Sequence, residues 1–380
     1  MPASEALPRA ADRPLAPYPM ISVIIPVRNE QGQIGAVLRQ LLDQDYPPDR
    51  YEILVADGES TDGTADVVRG YERAGSPRVA LFKNPGRLSS AGRNVGIRHS
   101  RGDIVIFIDG HCSIPTCSLL SETARILQVT GADCLCRPQP LTAESGDSLQ
   151  DVIARARASA LGHGRGSLIY DVHYEGFTDP TSSGATYRRR VFERIGPYDE
   201  TFDACEDVEF NYRVLRSGLT SYASPRLAVY YQARTSFRGL FRQLFRYGRG
   251  RFRLLRRHPE SASVGQLIPS AFLAALIAGP LLTIPLVRVR LLFLTVVAFY
   301  LALLIGFPAG FGFRYGWRHV LYGPPVYVAI HLGLGLGWWA EACDTVLRRA
   351  GMIQDRLRAA GSDAYRMKER LALRRSSGER

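Results

Sequence analysis

Residues 104–111 read Ile-Val-Ile-Phe-Ile-Asp-Gly-His, and this stretch decides the fold. Its first five residues form an uninterrupted apolar run, which is typical of a β-strand buried on both faces of a sheet. The acidic residue Asp109 follows directly where the run ends. Ligands of open α/β sheets bind beyond the carboxyl ends of the strands, so the sequence predicts a functional edge at this point.

Three earlier apolar runs have the same form, and two stretches between them have helical spacing. Polar residues follow the first two runs, as Asn29-Glu30 and Asp57-Gly58. The pattern predicts an α/β fold, a Rossmann-like mixed sheet covered by helices. The expected strands are 21–26, 53–56, 79–82 and 104–108, and the expected helices are 34–42 and 65–71.

The 380 residues have a formal net charge of +12, and 46% are hydrophobic, which excludes a mainly disordered chain. The positive charge is nearly all arginine, and it is clustered. Nine arginines and no acidic residue lie between Arg234 and Arg257, and ten basic residues against four acidic ones follow from Arg348. Both clusters flank apolar segments, which favours a membrane lipid surface over nucleic acid as the partner.

Three apolar stretches, at about 265–287, 291–312 and 321–343, are each near the twenty residues needed to cross a bilayer. An enzyme domain and a basic tail that are both cytoplasmic require an even number of crossings. One stretch is therefore expected to be re-entrant or interfacial, or the tail departs from the positive-inside rule. We expect two or three transmembrane helices.

The chain therefore divides into five predicted segments. A proline-rich start without an apolar core is neither a signal peptide nor an anchor. Apolar residues interleaved with arginine after residue 233 predict an amphipathic helix in the headgroup layer, with a solvated basic helix as the alternative. The segments are a disordered tail (1–19), the α/β domain (20–232), an Arg-rich interfacial region (233–263), transmembrane helices (264–344) and a basic cytoplasmic tail (345–380).

Six cysteines occur without a regular framework, which favours a reducing compartment. A zinc site built from His111, Cys112, Cys134 and Cys136 is conceivable, but the C-x-C spacing is not the usual one for structural zinc.

Five motifs occur in one order along the chain and resemble those of the family 2 glycosyltransferases with the GT-A fold. They cover about residues 20 to 250. Residues 176–212, residues 243–247 and the C-terminal apolar stretches look most like bacterial succinoglycan-type membrane glucosyltransferases. The motifs lie at 23–30, 55–64, 91–97, 108–111 and 205–210.

The resemblance implies that the first three motifs bind a nucleotide-sugar donor. Glu30 and Asp57 would contact its base and ribose, and Arg93 would open a helix aimed at its phosphates or steady Asp109. Each residue also has a purely structural interpretation: an Asx turn for Asp57, a helix first-turn acid for Glu30 and a surface arginine for Arg93. The implied donor-site residues are Pro26, Asn29, Glu30, Asp57, Arg93, Asn94 and Asp109.

Asp109-Gly110-His111 occupies the place of the family's D-x-D metal motif. The resemblance implies that Asp109 and His111 hold a divalent cation, Mn²⁺ or Mg²⁺, which neutralises the departing diphosphate. The histidine shifts the preference towards Mn²⁺. The alternative is that Asp109 alone meets the metal while His111 only hydrogen-bonds in the cleft.

Glu206-Asp207 looks like the family's E-D pair. Asp207 is the expected general base, which takes the proton of the acceptor hydroxyl, and Glu206 would position the acceptor or the sugar. The two acids also fit the first turn of a helix, because apolar residues continue after them. A helix start and a catalytic base are compatible.

Residues 243–247 resemble the Q-x-x-R-W element of membrane-bound relatives, with tyrosine in place of tryptophan. Arg246 would then reach the diphosphate and Tyr247 the acceptor, and Gln243 would belong to the same diphosphate and acceptor group, although a short motif in an arginine-rich stretch also fits membrane binding or chance. Gly184 would belong to a loop on the acceptor side.

The resemblance implies an inverting transfer of a sugar, with glucose the expected one, from a UDP-sugar to a saccharide on a polyprenyl diphosphate. The setting would be exopolysaccharide or envelope glycan synthesis at the bacterial inner (plasma) membrane, with the catalytic domain in the cytoplasm. The rivals are a polyprenyl-phosphate sugar synthase, a processive synthase, and a non-catalytic nucleotide-sugar sensor marked by the altered D-x-D motif.

Overall fold

The computed structural model describes residues 15–73, 75–143, 146, 148–164, 168–282 and 287–376. Its main sheet has eight strands in the order β3-β2-β1-β4-β9-β6-β10-β8. These strands are β1 (Ile21–Val27), β2 (Tyr51–Asp57), β3 (Arg78–Lys83), β4 (Ile104–Phe107), β6 (Cys134–Cys136), β8 (Gly176–Phe177), β9 (Gly184–Arg188) and β10 (Ser221–Ala223). A second sheet, in the order β5-β11-β7, consists of β5 (Cys112–Ser113), β7 (Leu141–Thr142) and β11 (Tyr230–Gln232).

Strands β1, β2, β3 and β4 run parallel, so their carboxyl ends meet at one edge. Strand β9 is antiparallel to both β4 and β6, which makes the sheet mixed. The predicted Rossmann-like mixed α/β sheet is therefore confirmed. Both of its faces are buried, because alternate β1 side chains such as Val23 and Ile24 belong to different apolar clusters.

Helices connect and cover the strands. In the sheet domain they are α1 (Ile34–Leu42), α2 (Thr64–Arg69), α3 (Ser89–His99), α4 (Leu119–Thr130), α5 (Ser148–Ala158), α6 (Ala160–His163), α7 (Arg189–Ile195) and α8 (Glu206–Arg216). Helix α2 occupies the predicted 65–71 position. Residues 15–19, which the sequence placed in a disordered tail, contact the domain, because Tyr46 and Arg50 donate hydrogen bonds to the carbonyls of Pro19 and Tyr18. The rest of the predicted tail, 1–14, lies outside the described residues.

Four long helices follow the sheet domain: α9 (Phe237–Arg257), α10 (Val264–Leu282), α11 (Val287–Tyr315) and α12 (Arg318–Ser376). Two stretches, Val287–Tyr315 and Arg318–Ala350, are long and apolar enough to cross a membrane, whereas the apolar part of α10, Val264–Pro280, is shorter. Of the three predicted stretches, two therefore qualify as candidate spans.

The apolar face of α9 is covered by protein. Leu240 and Leu244 are fully buried in one cluster with Val326, Tyr327 and Ile330 of α12. The amphipathic pattern was correctly recognised, but the partner of its apolar face is α12, whereas the sequence predicted the headgroup layer.

Arginines on the same helix are also paired. Arg249 contacts Glu341 at 2.6 Å and Asp344 at 2.8 Å, and Arg253 contacts Glu341 at 2.8 Å. The positive charge of the arginine-rich stretch 234–257 is thus partly neutralised by acids from α12. Counting charges within the stretch could not reveal these partners.

Glycines allow α9 and α12 to approach closely. A Cβ atom at Gly337 would lie 2.0 Å from the carbonyl oxygen of Phe245, and one at Gly248 would lie 2.2 Å from that of Leu334. Both obstructing atoms belong to the backbone and cannot rotate away. Small residues that bring helix backbones together in this way are characteristic of tightly packed helix pairs.

We predict that Gly337→Ala destabilises the protein by about 1–3 kcal/mol, because the added methyl group overpacks the α9–α12 contact. Alanine favours a helix by up to about 1 kcal/mol over glycine, which would act in the opposite direction. Thermal unfolding of the detergent-solubilised protein measures the balance.

Gly310→Ala in α11 is the matched control, because nothing described lies within 4 Å of its added Cβ. The control should unfold at or above the wild-type temperature. Equal melting temperatures for the two variants would contradict the close packing of α9 and α12.

Candidate active site

The loops after β1 and β2 are tied to each other by hydrogen bonds. Asn29 adopts a left-handed backbone conformation with φ of 57°, and its side-chain oxygen accepts a 2.8 Å bond from the amide of Thr61. The amides of Asn29 and Glu30 donate in return to Ser60 Oγ at 2.9 Å and Thr64 Oγ1 at 2.7 Å. These reciprocal bonds fix the edge at which the sequence predicted donor binding.

Asp57 ends β2 at this edge, and its carboxylate closes a local turn. Its oxygens accept a bond from the Ser60 amide at 3.3 Å and one from Ser60 Oγ at 2.5 Å. This is the Asx-type turn anticipated as the structural alternative. Pro26 lies in β1, paired in register with Ala56 of β2, and so supports the same edge.

Asp109 follows β4, at the edge of the sheet where the strands end. Its Oδ2 accepts a 2.8 Å hydrogen bond from the hydroxyl of Tyr231 in β11. Across the same edge, His111 Nδ1 lies 2.9 Å from Glu30 Oε1. Through this contact the Glu30 carboxylate orients the imidazole.

Two pKa shifts follow from this cluster. Burial would raise the pKa of Asp109, but Arg93, His111 and the Tyr231 hydroxyl hold it below its ordinary value. Burial would lower the pKa of His111, but the Glu30 hydrogen bond and the charge of Asp109 raise it. Asp109 is therefore ionised at neutral pH.

The cluster fits a divalent cation in one specific way. The Glu30 contact occupies Nδ1 of His111 and leaves Nε2 to face a ligand, which is the usual carboxylate–histidine–metal arrangement. Asp109 retains Oδ1, because Tyr231 uses Oδ2. Among the described residues no group of three or more His, Cys, Asp or Glu side chains could hold a metal. The protein would thus supply two ligands, and the diphosphate would supply others.

The zinc site of His111, Cys112, Cys134 and Cys136 is also wrong, because these four described residues do not form a group that could hold a metal. The six cysteines are free thiols, and Cys134 and Cys136 are buried within strand β6 of the main sheet.

Arg93 joins α3 to α8. Its Nη2 lies 3.5 Å from Glu206 Oε1, with both side chains about nine-tenths buried. Its guanidinium also faces the rings of Phe107 and Tyr198, at 5.3 and 5.2 Å from their centroids. The structure corrects one expectation: α3 begins at Ser89, so Arg93 lies one turn inside the helix and does not open it.

Burial would lower the pKa of Arg93, but Glu206, Tyr198 and the carboxylates of Asp109 and Asp207 raise it well above its ordinary value. Burial and the neighbouring Asp207 raise the pKa of Glu206 even though Arg93 acts in the opposite direction. Arg93 is thus a permanent cation set among several acids.

Helix α8 begins at Glu206, as the alternative interpretation of the acidic pair expected. The preceding residue, Cys205, has a left-handed conformation with φ of 61°, which turns the chain sharply into the helix. Asp207 is half-buried, and its Oδ1 accepts a 2.9 Å bond from the amide of Val208. The helix N-terminus stabilises negative charge at this position.

Two predicted site residues have structural tasks. The Asn94 side chain is saturated: its oxygen accepts from the Tyr198 amide at 2.9 Å, and its nitrogen donates to the Tyr198 carbonyl and to Glu200. Gly184 does not lie in an acceptor-side loop; it opens the buried strand β9, where a Cβ would lie 2.5 Å from Asn211 Oδ1 of α8. Both residues support the segment that carries Asp207.

The Gln243–Tyr247 element lies on α9. Gln243 donates a 3.3 Å bond to the Tyr247 hydroxyl and accepts one from Arg157 Nη1 at 3.0 Å. Arg246 donates to the carbonyl of Asp203, four residues before Asp207. Arg253 also pairs with the Asp203 carboxylate. Helix α9 therefore anchors the segment that leads to the acidic pair.

One cavity of about 1570 Å³ connects these groups. The residues that line it do not include Pro26, Asn29, Glu30, Asp57, Asn94 or Gly184. The predicted site residues that line it are Arg93, Asp109, His111, Glu206, Asp207, Gln243, Arg246 and Tyr247.

Sequence reasoning missed three residues of the site: Tyr231, Arg157 and Arg253. Tyr231 reaches Asp109 because the small sheet pairs β11 with β5, and this pairing leaves no local sequence signal. Arg157 and Arg253 are single arginines in a chain rich in arginine. The i, i+4 spacing puts Arg157 on the same face of α5 as the apolar Ile153, and this was the sequence signal for its burial.

Comparison with known proteins agrees with this geometry. The glycosyl transferase family 2 model matches residues 22–196. Succinoglycan biosynthesis protein ExoA of Rhizobium meliloti is 31% identical over 329 residues, 85% of this chain and 94% of that protein. A Methanococcus voltae dolichyl N-acetyl-alpha-D-glucosaminyl phosphate 3-beta-D-2,3-diacetamido-2,3-dideoxy-beta-D-glucuronosyltransferase is 27% identical over 62% of this chain and 74% of its own length.

Among solved structures, mannosyltransferase PcManGT from Pyrobaculum calidifontis, in complex with GDP-Man and Mn²⁺, covers 85% of this chain and 89% of its own. The TM-score is 0.54 at 19% identity, so the similarity establishes the fold alone. The fold is GT-A. The chain belongs to glycosyltransferase family 2 and is a glycosyltransferase enzyme.

We predict that Arg93→Met destabilises the protein by about 3 kcal/mol, because it leaves the buried Glu206 carboxylate without its cation. The double variant Arg93→Met, Glu206→Gln should recover part of this loss, because the uncompensated charge is gone. Unfolding of the purified protein in detergent, followed by circular dichroism, measures the stability of both variants.

Arg98→Met, on an exposed position of the same helix, is the matched control and should change stability by less than about 0.5 kcal/mol. The two single variants are Arg93→Met and Glu206→Gln. If the loss of stability in the double variant equalled the sum of their losses, Arg93 and Glu206 would not interact.

Proposed function

We propose that this protein is an inverting glycosyltransferase that moves a sugar from a UDP-sugar, glucose by preference, to a saccharide carried on a polyprenyl diphosphate. One observation carries the proposal: Asp109 and His111 line the same cavity as Asp207. A site for a donor diphosphate and a site for a proton acceptor thus face the same cavity. The reaction needs this arrangement, because the sugar must meet the acceptor there.

In this proposal Asp207 is the general base. Its carboxylate accepts the proton of the acceptor hydroxyl as the oxygen attacks the anomeric carbon from the face opposite the diphosphate. A single displacement inverts that carbon, so an α-linked donor gives a β-linked product. Arg93 lies 3.5 Å from Glu206, the neighbour of Asp207, and balances part of the negative charge of the acidic pair.

Asp109 and His111 would hold the divalent cation, which neutralises charge on the departing diphosphate. Glu30 keeps the imidazole aligned through its 2.9 Å contact. Arg93 supplies a second, permanent positive charge on the same wall of the cavity. The tied loops after β1 and β2, with Pro26, Asn29 and Asp57, would hold the nucleoside at the same edge of the sheet, next to the cavity.

The acceptor and the location rest on the relatives and on the C-terminal helices. ExoA is named for succinoglycan biosynthesis, and the Methanococcus voltae protein is named for a dolichyl phosphate-linked sugar. Two helices of this chain are apolar and long enough to cross a membrane. Exopolysaccharide or envelope glycan synthesis at the inner face of a bacterial plasma membrane, with a cytoplasmic catalytic domain, accommodates these features.

We predict that Asp207→Asn lowers the transfer rate by about 10²- to 10⁴-fold, because the amide cannot accept the proton of the acceptor hydroxyl. UDP binding should be retained. Transfer from UDP-glucose to lipid-linked saccharide extracted from bacterial membranes measures the rate, and titration with UDP measures the affinity.

Glu193→Gln, an exposed carboxylate on α7, is the control and should transfer at the wild-type rate. Substantial transfer by Asp207→Asn would favour a phosphate acceptor, which has no hydroxyl proton to lose, and the protein would then be a polyprenyl-phosphate sugar synthase.

We predict that His111→Ala weakens Mn²⁺ binding in the presence of UDP by at least about tenfold, and that Glu30→Ala weakens it by about 10- to 100-fold through the misaligned imidazole. Mn²⁺ binding is measured directly by electron paramagnetic resonance of the free ion.

His173→Ala, an exposed histidine outside the cavity, should bind Mn²⁺ as the wild type does. Unchanged affinity in His111→Ala would leave Asp109 as the single protein ligand of the cation.

A further inference from the structure

Arg157, on the last turn of α5, is a buried cation to which neither the motifs nor the proposed donor site assigns a task. Arg157 is only 6% exposed, yet it lines the cavity. Two neutral groups hold it: Nη1 donates to Gln243 Oε1 at 3.0 Å, and Nη2 donates to the Tyr170 hydroxyl at 2.9 Å. Its Nε has no hydrogen-bond partner among the described residues.

The charge of Arg157 is not neutralised by any carboxylate that the structure describes. The ion pairs of the described residues do not include it, in contrast to Arg93, Arg249 and Arg253, which each contact an acid. Burial would lower the pKa of Arg157, but Tyr170 and Tyr247 raise it, so the guanidinium stays charged. Burying a cation without a counter-ion is costly, and an anion bound beside it would offset that cost.

Arg157 is linked to the segment that carries Asp207 through Tyr247. Its guanidinium carbon is 5.8 Å from the ring centroid of Tyr247, whose carbonyl accepts a hydrogen bond from Cys205 Sγ at 3.7 Å. Cys205 is two residues before Asp207. Arg93 reaches the same segment from α3, where it lies 3.5 Å from Glu206. The two guanidinium groups therefore differ in their partners: Arg93 has a carboxylate beside it, and the described partners of Arg157 are neutral groups.

Beyond Arg157 the cavity continues between the C-terminal helices. Its lining there includes Phe272 of α10, Phe299 and Leu303 of α11, and Leu334 of α12. Phe272 packs against Tyr300 with ring centroids 4.5 Å apart. This apolar arm is continuous with the space that Asp207 faces, and two of the three helices that form it are candidate membrane spans.

We propose that Arg157, aligned by Gln243 and Tyr170, binds the phosphate of a prenyl-linked acceptor, and that the prenyl chain occupies the apolar arm between α10, α11 and α12. The inference rests on the proposed function, because it gives the lipid-linked acceptor its binding site. An isoprenoid phosphate combines the two properties that the cavity separates: an anion at the level of Arg157 and a hydrocarbon chain among Phe272 and Leu303.

The first experiment measures binding of farnesyl diphosphate and of UDP to the full-length protein in detergent. Arg157→Gln should weaken farnesyl diphosphate binding by at least about tenfold, as expected when a charge-assisted hydrogen bond is lost. UDP affinity should stay within about twofold. Arg157→Lys keeps the charge without the forked geometry, so its affinity should lie between those of Arg157→Gln and the wild type.

Arg238→Gln removes an exposed arginine of α9 that does not line the cavity, and it should bind both ligands as the wild type does. A loss of UDP affinity in Arg157→Gln with farnesyl diphosphate binding unchanged would assign Arg157 to the donor and overturn the inference. Unchanged binding of both ligands in a folded Arg157→Gln or Arg157→Lys protein would overturn it as well.

The second experiment tests the apolar arm. Phe272→Ala should weaken binding of farnesyl diphosphate but not of inorganic pyrophosphate, because only the former has a chain to bury. Equal loss for the two ligands, or none, would contradict a prenyl site between the helices. Vesicles of phosphatidylglycerol that displace farnesyl diphosphate would instead identify a general phospholipid headgroup as the ligand.

The two proposals fail separately. Asp207→Asn removes the proposed base and should leave farnesyl diphosphate binding intact. A wild-type protein that binds farnesyl diphosphate through Arg157 but never transfers a sugar would refute the proposed reaction and leave the prenyl phosphate site standing. Sugar transfer with full activity in Arg157→Gln, at low concentrations of the lipid acceptor, would refute the site and leave the reaction standing.

Discussion

The guanidinium of Arg93 is the electrostatic centre on which the rest of the site depends. Glu206, Asp207 and Asp109 come from distant parts of the sequence, and mutual repulsion would separate them or force protons onto them. Arg93 lies 3.5 Å from Glu206 and its positive charge is stabilised by all three acids, so it offsets the repulsion among them around one cavity. Removing its counter-ions would leave Arg93 as a buried unpaired cation, so the dependence is mutual.

Helix α9 extends this constraint from the site to the C-terminal helices. Through Arg246 and Arg253 it holds Asp203, and through Arg249 and Arg253 it holds Glu341 of α12. The segment before the acidic pair is thus connected to a candidate membrane helix by ion pairs that are largely buried. The paired arginines of α9 thus join this helix to other parts of the same chain.

The sequence predicted the parts of this structure that local patterns encode. It did not predict contacts between residues that are distant in the sequence. Continuous apolar runs identified β1, β2, β3 and β4, and residues after them identified the edge with Asp57 and Asp109. The pairing of Tyr231 with Asp109 joins residues 122 positions apart and leaves no periodic signal. Gly184 was misassigned for the same reason, because its need for glycine comes from Asn211 of a distant helix. The packing of Leu240 and Leu244 of α9 on α12 was not predicted, because a protein helix and a bilayer select the same amphipathic pattern.

The glycine contacts between α9 and α12 have a geometric consequence for the enzyme at a bilayer. Backbone rests on backbone at Gly248 and Gly337, so there are no long side chains at these points whose rotation would let one helix slide along the other. In the proposed function α12 is inserted in the membrane, and this rigid contact would then fix the distance of Asp207 from the lipid surface. The enzyme would accept only glycans whose growing end stands at that distance from the lipid, so the length of the acceptor would become a criterion of selection.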